Sequence, residues 1–502
     1  MTTRRDVLLH GAIGAGVIAS GVSGVAALAA AAVPQRRSLQ GMAWNDPIVS
    51  TYRDAVGIMK QKAPTDKFSW TALSSIHGTD PDTYHYCPHG DWYFLPWHRA
   101  FTAMYERVVR KLTHNDAFAM PYWDWTANPL MPEVFLNPKT PDGKTNWLCV
   151  TDKGWTRTWP PKKPMPAENV GPAVLQKILS APSYEVFGTS RNPKQNNLDP
   201  SWVPMGGGRQ GVLEGNAHNM VHNDIGGWMP TASSSRDPIF FMHHGNIDRI
   251  WAVWNKTHPN STDPLWTGMT FTNNFLNVDG SFWSPKVSDL YVPEKLGYTY
   301  GLGAPMAAPP TVVALTNKLS ALFALPEAAT RKPAGIDTVT VANTKTARAG
   351  QPLDVAIPVP AAALNAVRRR PAAKGGAELL TLGGQAEAAG GTHALVFLRD
   401  VQITNPHATM FRVFVDSPGV SERTPITDPH YVGTFGVFHA GQHMGHHSPP
   451  SFAIDLTDVL QRTHGPAGGS IRLQLVAVTN DGAPGAGGTA TPAAIEVSFI
   501  AN

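Results

Sequence analysis

Residues 237–258 read DPIFFMHHGNIDRIWAVWNKTH, an Asp-Pro start signal followed by apolar residues at helical spacing. This pattern predicts an amphipathic helix that begins near the proline. The helix would carry two adjacent histidines, His243 and His244, and an acidic residue, Asp248, four positions after His244. Because residues four apart share a helix face, we expect Asp248 to accept the free N–H of a metal-bound imidazole.

A second pair of histidines lies just upstream. Residues 213–227 read LEGNAHNMVHNDIGG and place His218 and His222 four residues apart. On a helix, both rings would face the same way. Two imidazoles on one helix face form half of a metal site.

A third block, residues 76–101, reads IHGTDPDTYHYCPHGDWYFLPWHRAF and contributes His77, His89 and His98. The apolar spacing over residues 92–112 predicts a helix, and His98 lies near its start. His89 precedes His98 by nine residues and would lie on the opposite face of a straight helix. The flanking proline and glycine therefore predict that His89 approaches from a loop.

The histidine set limits the kind of metal that the chain could bind. All-imidazole ligation suits copper, zinc, iron or nickel. One catalytic zinc with three protein ligands and a water would use only half of these histidines. Two sets of three instead predict a pair of similar metals that face each other.

These blocks resemble the copper-A and copper-B regions of the type-3 copper family, which includes tyrosinases, catechol oxidases and molluscan haemocyanins. The resemblance lies in PWHR, HNxxH and DPxFxxHHxNxDRxW, and in MPYWDW (120–125) and KLGYTY (295–300). It implies two copper ions, Cu-A and Cu-B, with O2 as co-substrate. It also implies which residues bind copper, namely His77, His89 and His98 for one ion and His218, His222 and His244 for the other. His243 and Asp248 would then lie behind the ligands.

The resemblance also suggests how a phenol proton is removed. In tyrosinases, a Glu just before the first copper-B histidine and an Asn just after it resemble a water-holding pair, which corresponds here to Glu214 and Asn219. A phenol has a pKa of ~10, so a polarised water would have to act as its base. A purely structural Glu214 is the alternative. Thr231, where some plant catechol oxidases carry Phe, implies an open entrance.

Cys87 lies two residues before His89. In an extended segment, residues two apart point to the same side, which makes a Cys87–His89 thioether sterically feasible. Fungal tyrosinases and molluscan haemocyanins have this bond at the same spacing. We expect the thioether here, with a buried free thiol as the alternative.

Composition excludes several classes of protein. The 502 residues carry a net charge of +4 without a long basic run, which argues against a nucleic-acid-binding protein. Two cysteines exclude a disulfide framework and a thiolate zinc cluster. Residues 1–32 combine Arg4-Arg5 with an apolar, alanine-rich stretch and predict a twin-arginine-type signal peptide. We therefore expect a periplasmic or extracellular protein without a stable membrane anchor.

The rest of the chain divides into three predicted parts. Residues 33–300 form a mainly α, tyrosinase-like di-copper catalytic domain, and the resemblance implies a four-helix bundle around the metals. Residues 301–335 form a linker with one short helical stretch. Residues 336–502 contain short β-rich runs separated by turns, which predict an antiparallel β sandwich or barrel. This part resembles the C-terminal shield domain of plant-type polyphenol oxidases.

A shield domain could also plug the copper pocket and make the protein latent. Phe411, Phe438 and Met444 are candidates, although strand packing better suits Phe411. A separate cluster of His439, His443, His446 and His447 is predicted to be a polar loop, with copper transfer as the alternative.

Taken together, the resemblance implies a tyrosinase or polyphenol oxidase that acts on small phenolic substrates. It would use O2 to ortho-hydroxylate monophenols and to oxidise o-diphenols to o-quinones. A diphenol-only catechol oxidase, a haemocyanin-like oxygen carrier and a copper-storing or surface-binding protein are the alternatives. A copper-delivery partner is a further expectation.

Overall fold

A computed structural model describes residues 33–193, 206–303, 307–325, 332–369, 391–438, 449–463 and 469–501. The predicted signal peptide, Met444 and the histidines at 439, 443, 446 and 447 lie outside the described residues. Residues 34–502 belong to one structural unit.

The first part of the chain is mainly helical. Its α-helices are Pro47–Gln61, Trp70–Ser74, Phe94–Thr113, Ala167–Val170, Pro172–Leu179, Tyr184–Phe187, Asn219–Ile225, Ile239–Trp254, Pro264–Gly268 and Pro310–Phe323. A π-helical turn, Leu213–His218, runs directly into the helix Asn219–Ile225. Short 3-10 turns cover Glu133–Phe135, Ser234–Arg236, Val287–Leu290 and Pro293–Leu296. Two short strand pairs join Gly78–Asp80 to Thr83–Tyr84, and Phe275–Leu276 to Phe282–Trp283.

The two helices with the clearest sequence signals are confirmed. The helix Phe94–Thr113 buries the apolar face that its spacing predicted and ends at His114, whose left-handed backbone (φ 53°) stops the helix. The helix Ile239–Trp254 begins after Asp237, whose side chain accepts a hydrogen bond of 3.0 Å from the N–H of Ile239. The two helices pack on each other and contribute to one hydrophobic core.

The C-terminal part contains two larger sheets. The first has the strand order Tyr431–Phe435, Thr409–Val415, Ser470–Thr479, Leu353–Pro358. The second has the order Arg209–Gln210, Ser451–Asp455, Thr392–Arg399, Ala494–Ala501, Ile336–Ala342. A strand pair (Gln402–Thr404 with Thr489–Thr491), the helices Ala361–Arg368 and Thr457–Arg462, and a 3-10 turn at Pro406–Ala408 complete this part. Side chains from both sheets share a hydrophobic core. Most of the helices precede these two sheets in the chain.

One strand ties the two parts together. Arg209–Gln210 belongs to the helical part by sequence but pairs in parallel with Ser451–Phe452 at the edge of the second sheet. The π-helical turn that ends at His218 begins three residues after this strand. The sheet therefore extends to the immediate neighbourhood of the histidines.

The predicted linker contains a helix that packs against the helical part. In the helix Pro310–Phe323, the side chains of Leu319 and Phe323 are buried. Ser320 Oγ donates a hydrogen bond of 2.8 Å to Glu185. No helix among the described residues is long and apolar enough to cross a membrane.

A buried ion pair also joins the two parts. The guanidinium of Arg412 binds both carboxylate oxygens of Glu168, at 2.7 and 2.6 Å, and both side chains are less than a tenth exposed. A bidentate pair of this kind fixes geometry as well as charge.

Replacing one partner of this pair should destabilise the protein. Arg412→Met is expected to lower the free energy of unfolding by about 3–5 kcal/mol, because Glu168 would keep a buried charge without its partner. Arg472→Met is the control, since it breaks the largely exposed pair with Asp354 and should cost less than about 1 kcal/mol. Urea denaturation measures both, and equal losses would contradict the structural role of the buried pair.

Candidate metal centre

The structure brings the predicted histidines together in two facing groups. His77, Cys87, His89 and His98 form one group, and His218, His222, His243 and His244 form the other. Within each group, the candidate ligand atoms lie within 4.8 Å of one another. The rings of His98 and His244 stack at a centroid distance of 4.3 Å, so the two groups face each other directly.

Four of these imidazoles are oriented through their Nδ1 atoms. Nδ1 of His77 lies 2.6 Å from the carbonyl oxygen of Ala232. Nδ1 of His98 lies 2.8 Å from the carbonyl oxygen of Phe94, and Nδ1 of His222 lies 2.7 Å from that of Met229. Nδ1 of His218 lies 2.9 Å from the side-chain Oδ1 of Asn219. An oxygen acceptor at Nδ1 fixes the proton there and leaves the lone pair on Nε2.

The free nitrogens then converge. Nε2 of His222 lies 3.2 Å from Nε2 of His244. Because Met229 O holds the ring proton of His222 on Nδ1, Nε2 of His222 presents its lone pair towards His244. Nε2 of His218 is buried without a hydrogen-bond partner. An unsatisfied buried nitrogen is costly, and a metal ion would satisfy it. The donor set therefore fits the imidazole-binding metals.

Burial keeps the rings neutral, the form that binds metals. Desolvation lowers the pKa of His89, His98, His222 and His244 well below the ordinary value, and neighbouring imidazoles lower it further. The pKa of His218 falls to about 3 for the same principal reason.

The adjacent pair His243 and His244 differ in their hydrogen bonds. The indole N–H of Trp125 donates to Nδ1 of His243 at 3.3 Å. Because indole is only a donor, Nδ1 of His243 must accept and its proton lies on Nε2. That tautomer offers no lone pair on Nε2, which favours His244 as the ligand, as the sequence spacing did.

The predicted contact between Asp248 and an imidazole is wrong. Its carboxylate is bound by Arg99 at 2.5 Å, Arg36 at 3.2 Å, and the hydroxyls of Tyr298 and Tyr300 at 2.6 and 2.7 Å. Burial raises the pKa of Asp248, but the two guanidinium groups outweigh this and hold the pKa below its usual value. Asp248 therefore anchors the helix Ile239–Trp254 in the core.

Glu214 and Asn219 each have protein partners in this structure. Glu214 accepts a hydrogen bond of 2.7 Å from the N–H of Gly90, beside His89, and a second from the hydroxyl of Thr189. Burial raises the pKa of Glu214 to about 8, which favours the protonated carboxyl at pH 7 in the metal-free protein. Asn219 orients His218 and donates to Gln210 Oε1 at 2.9 Å.

Cys87 lies against two imidazoles. Its sulfur is 3.5 and 3.8 Å from the two ring nitrogens of His89 and 3.3 Å from Nε2 of His98. The thiol is buried, and desolvation raises its pKa. The sulfur thus faces the His89 ring, and the thioether itself stays a prediction.

Phe438 of the C-terminal part covers the centre. Its ring centroid lies 4.3 Å from that of His222, 4.7 Å from His89 and 5.5 Å from His218, so it touches both histidine groups. Phe411, another sequence candidate, instead stacks on Phe435 in the β core at 5.4 Å.

The backbone next to Phe438 is fixed to the π-helical turn that ends at His218 and to the helix that carries His222. The N–H of Gly436 donates to Gly215 O at 2.9 Å. The side-chain amides of Asn219 and Asn223 donate to the carbonyls of Gly436 and Val437, at 2.8 and 3.0 Å.

Some residues of the site left little trace in the sequence. The carbonyls of Met229 and Ala232 orient histidines, and Thr231 between them bonds to Trp228 O at 2.8 Å and stays partly exposed. The available signal was glycine, since a Cβ at Gly78 would lie 2.1 Å from Ala232 O.

Comparisons with known proteins identify the class. The family described as "Common central domain of tyrosinase" matches residues 67–257. A tyrosinase of Streptomyces antibioticus is 31% identical over 226 residues, which cover 40% of this chain and 77% of that protein. The chain belongs to the tyrosinase family of type-3 copper proteins, and the two histidine groups fit the dinuclear copper site of that family.

Other relatives match over a smaller share of their length. Tyrosinase HcTyr1 of Hahella sp. (strain CCB-MM4) is 27% identical over 306 residues, 52% of this chain and 62% of that protein. A chloroplastic polyphenol oxidase of Vitis vinifera is 28% identical over 292 residues, 50% of this chain and 45% of that protein. The matches thus span about half to three fifths of these two relatives.

Solved structures share the fold across nearly the whole chain. A latent aurone synthase (polyphenol oxidase) aligns with a TM-score of 0.61 at 18% identity, over 93% of this chain and 90% of that one. A latent apple tyrosinase aligns with a TM-score of 0.60 at 18% identity, over 93% and 97%. The combination of a helical core with a C-terminal sheet region is thereby confirmed, whereas the four-helix bundle and the sandwich geometry stay predictions.

The raised pKa of Glu214 predicts a pH-dependent stability. An unfolded Glu has a pKa of ~4.3, so the folded carboxyl retains its proton until about pH 8. Its contribution to stability is complete below ~4.3 and is lost as the pH rises through 8, at ~1.4 kcal/mol per unit. Glu214→Gln should remove this loss, so that its stability relative to wild type rises by about 2 kcal/mol between pH 6 and pH 8.

Urea unfolding of both copper-free proteins at pH 6, 7 and 8 measures the effect. Parallel stability profiles for wild type and Glu214→Gln would show that the folded carboxyl is ionised throughout this range.

Proposed function

We propose that this protein is a copper-dependent phenol oxidase, in which Phe438 holds the metal centre in a latent state. It would ortho-hydroxylate monophenols and oxidise o-diphenols to o-quinones. The observation that carries the proposal is the Phe438 ring, which lies 4.3–5.5 Å from imidazoles of both groups. This is space of the size and shape that a phenol ring needs.

The proposed ligands are His77, His89 and His98 for one copper and His218, His222 and His244 for the other. The oxygen acceptors at Nδ1 of His77, His98, His218 and His222 support four of these ligands. The placement of His89 and His244 within the two histidine groups supports the other two. Copper, when bound, would supply the redox chemistry with O2. The chain itself orients the imidazoles, keeps water out with a buried aromatic lining, and positions the substrate ring.

In the closed state, no base for a monophenol is ready. In the metal-free protein the raised pKa of Glu214, about 8, favours its protonated form at pH 7, and both amide N–H groups of Asn219 already donate to other residues. A diphenol is the easier substrate because the ring already carries both oxygens. A diphenol-only catechol oxidase is therefore the second candidate function, and Glu214 and Asn219 would serve a monophenol only after rearrangement.

Other predictions from the sequence stay part of the proposal. Residues 1–32 would direct export by the twin-arginine route, and a copper-delivery partner would load the site. The Cys87–His89 thioether would form with loss of two hydrogens, copper and O2 acting as the oxidant. Mass spectrometry of the peptide that contains both residues would show it as a mass two hydrogens lower.

Oxygen uptake tests the function. Copper-loaded protein lacking residues 1–32 should consume O2 with catechol, and with tyramine as well if Glu214 and Asn219 rearrange. Limited proteolysis between residues 301 and 335 should raise both rates. Uptake with catechol alone would leave the diphenol oxidase. No uptake with either substrate, together with two bound coppers and reversible O2 binding, would overturn the enzyme in favour of an oxygen carrier.

Removing the plug should activate the full-length chain. Phe438→Ala is expected to raise the rate of catechol oxidation about tenfold or more without proteolysis, because the fraction of molecules open to substrate limits the apparent affinity. The copper content should stay at that of wild type, which absorption and metal analysis measure.

Phe411→Leu is the matched control, since it alters an aromatic residue of the same β part away from the histidines. Equal activation by Phe411→Leu would mean that general loosening, and not the Phe438 ring, opens the centre.

A further inference from the structure

A second pocket lies between the helical part and the β part. It is a cavity of about 420 Å3, within the size range of small-molecule sites. One wall comes from the helix Pro172–Leu179 and the π-helical turn Leu213–His218. The other comes from the strands Tyr431–Phe435 and Ser451–Asp455 and the helix Thr457–Arg462. Most of the lining is apolar and includes Val174, Val212, Phe435 and Phe452.

Two cationic groups line this cavity, Lys177 and Arg462. Lys177 donates to the carbonyl of Val432, and its ammonium lies 5.1 Å from the centroid of the Tyr431 ring. Arg462 donates to the carbonyls of Pro429 and Tyr431 at 2.7 and 2.6 Å. Within the part of the chain that the structure describes, neither cation forms an ion pair with a carboxylate.

The two cations also influence each other. Burial, with the charge of Arg462, lowers the pKa of Lys177 to about 8, although Asp458 and Asp455 act in the opposite direction. An anion placed between the two cations would offset their repulsion and favour the charged form of Lys177.

Several carboxylates line the same cavity. Within the described residues, the charges of Asp428, Asp455 and Asp458 act on the two cations without forming an ion pair with them, and the carboxylates also have contacts of their own. Glu168 is held by Arg412, and Asp428 lies 3.1 Å from the ring of His430. Asp455 accepts a hydrogen bond of 2.8 Å from the N–H of Thr457. Asp458 lies in the first turn of the helix Thr457–Arg462, where a negative charge is favourable.

One buried acceptor in the lining has no partner. Asn216 is 4% exposed, and its Nδ2 donates to the carbonyl of Glu168 at 3.1 Å, but its Oδ1 has no hydrogen bond. A buried amide oxygen without a donor is costly. A ligand hydroxyl that donates to this oxygen would remove the cost.

We propose that this cavity binds a small hydroxyaryl carboxylate. Its ring packs among the apolar side chains, its carboxylate binds Lys177 and Arg462, and its hydroxyl donates to Asn216 Oδ1. Each part of the ligand matches one feature of the lining. The ring fits the apolar volume, the carboxylate fits the pair of cations, and the hydroxyl fits the unpaired acceptor. The site is separate from the histidine centre and needs no metal.

Binding here should keep the protein closed. Both walls are needed to form the cavity, so the ligand binds only while the β part is seated on the helical part. The strand Tyr431–Phe435 forms one wall and leads within three residues to Phe438. A bound ligand therefore stabilises the arrangement in which Phe438 covers the histidines.

Calorimetric titration of the copper-loaded, full-length protein without O2 tests the proposal. Two probes are compared, 3-(4-hydroxyphenyl)propionate and 3-phenylpropionate, which lacks the hydroxyl. We expect both to bind, the hydroxylated acid about fivefold more tightly because of one further hydrogen bond. Both should also raise the temperature of unfolding.

Two variants assign the site. Lys177→Met should weaken both acids about tenfold or more, as loss of a charge-assisted hydrogen bond predicts, whereas Lys153→Met, at an exposed lysine outside the cavity, should leave binding unchanged. Asn216→Leu should bind the two acids with equal affinity. Both affinities are measured on the same variant, so any general loss of stability affects them alike.

Two results would contradict the proposed ligand site. Absence of binding at millimolar concentration, or affinities that are the same in wild type and Lys177→Met, would overturn the proposal. Because catechol turnover is measured separately with O2, this failure would leave the proposed oxidase function untouched.

Discussion

The centre depends on one constraint, an oxygen acceptor at the Nδ1 atom of each oriented imidazole. Without such an acceptor a buried ring can rotate and exchange its tautomer, and the Nε2 lone pairs would not converge. Three of the acceptors are backbone carbonyls: one in the first turn of the helix that carries His98, and those of Met229 and Ala232 in a single loop. That loop must approach closely, which is why the residue after His77 is a glycine.

The sequence was informative where side-chain identity and spacing carry the information. The pattern around His98 and His244 predicted two long helices, and the spacing after Asp237 favoured His244 over its neighbour. The interaction of Asp248 was predicted wrongly because a helix period shows which face a residue occupies, not which groups meet that face. Its main partners include Arg36, 212 positions away in the chain, and Arg99, which lies on a different helix.

The contact between the two parts of the chain was the least predictable feature. Phe438 follows a β-rich run, where an aromatic residue normally packs in a sheet core, as Phe411 does. Its position among imidazoles follows from pairings that no local pattern encodes, such as the parallel strand Arg209–Gln210. Backbone carbonyls and such pairings arise only in the folded chain, so composition and spacing carry little trace of them beyond a glycine such as Gly78.

The hydrogen bond from Asn219 to Gly436 has a further consequence. In the closed protein this amide is fully used: its oxygen orients His218, and its nitrogen donates to Gln210 and to the segment beside Phe438. If that segment moved away, the pocket would be uncovered. In the same step, one N–H of the Asn219 amide would become free to donate to another group beside the His218 ring. The same Asn219 side chain therefore takes part both in covering the pocket and in the chemistry next to His218. The uncovered pocket differs from the covered one in its hydrogen-bond donors as well as in its access to substrate.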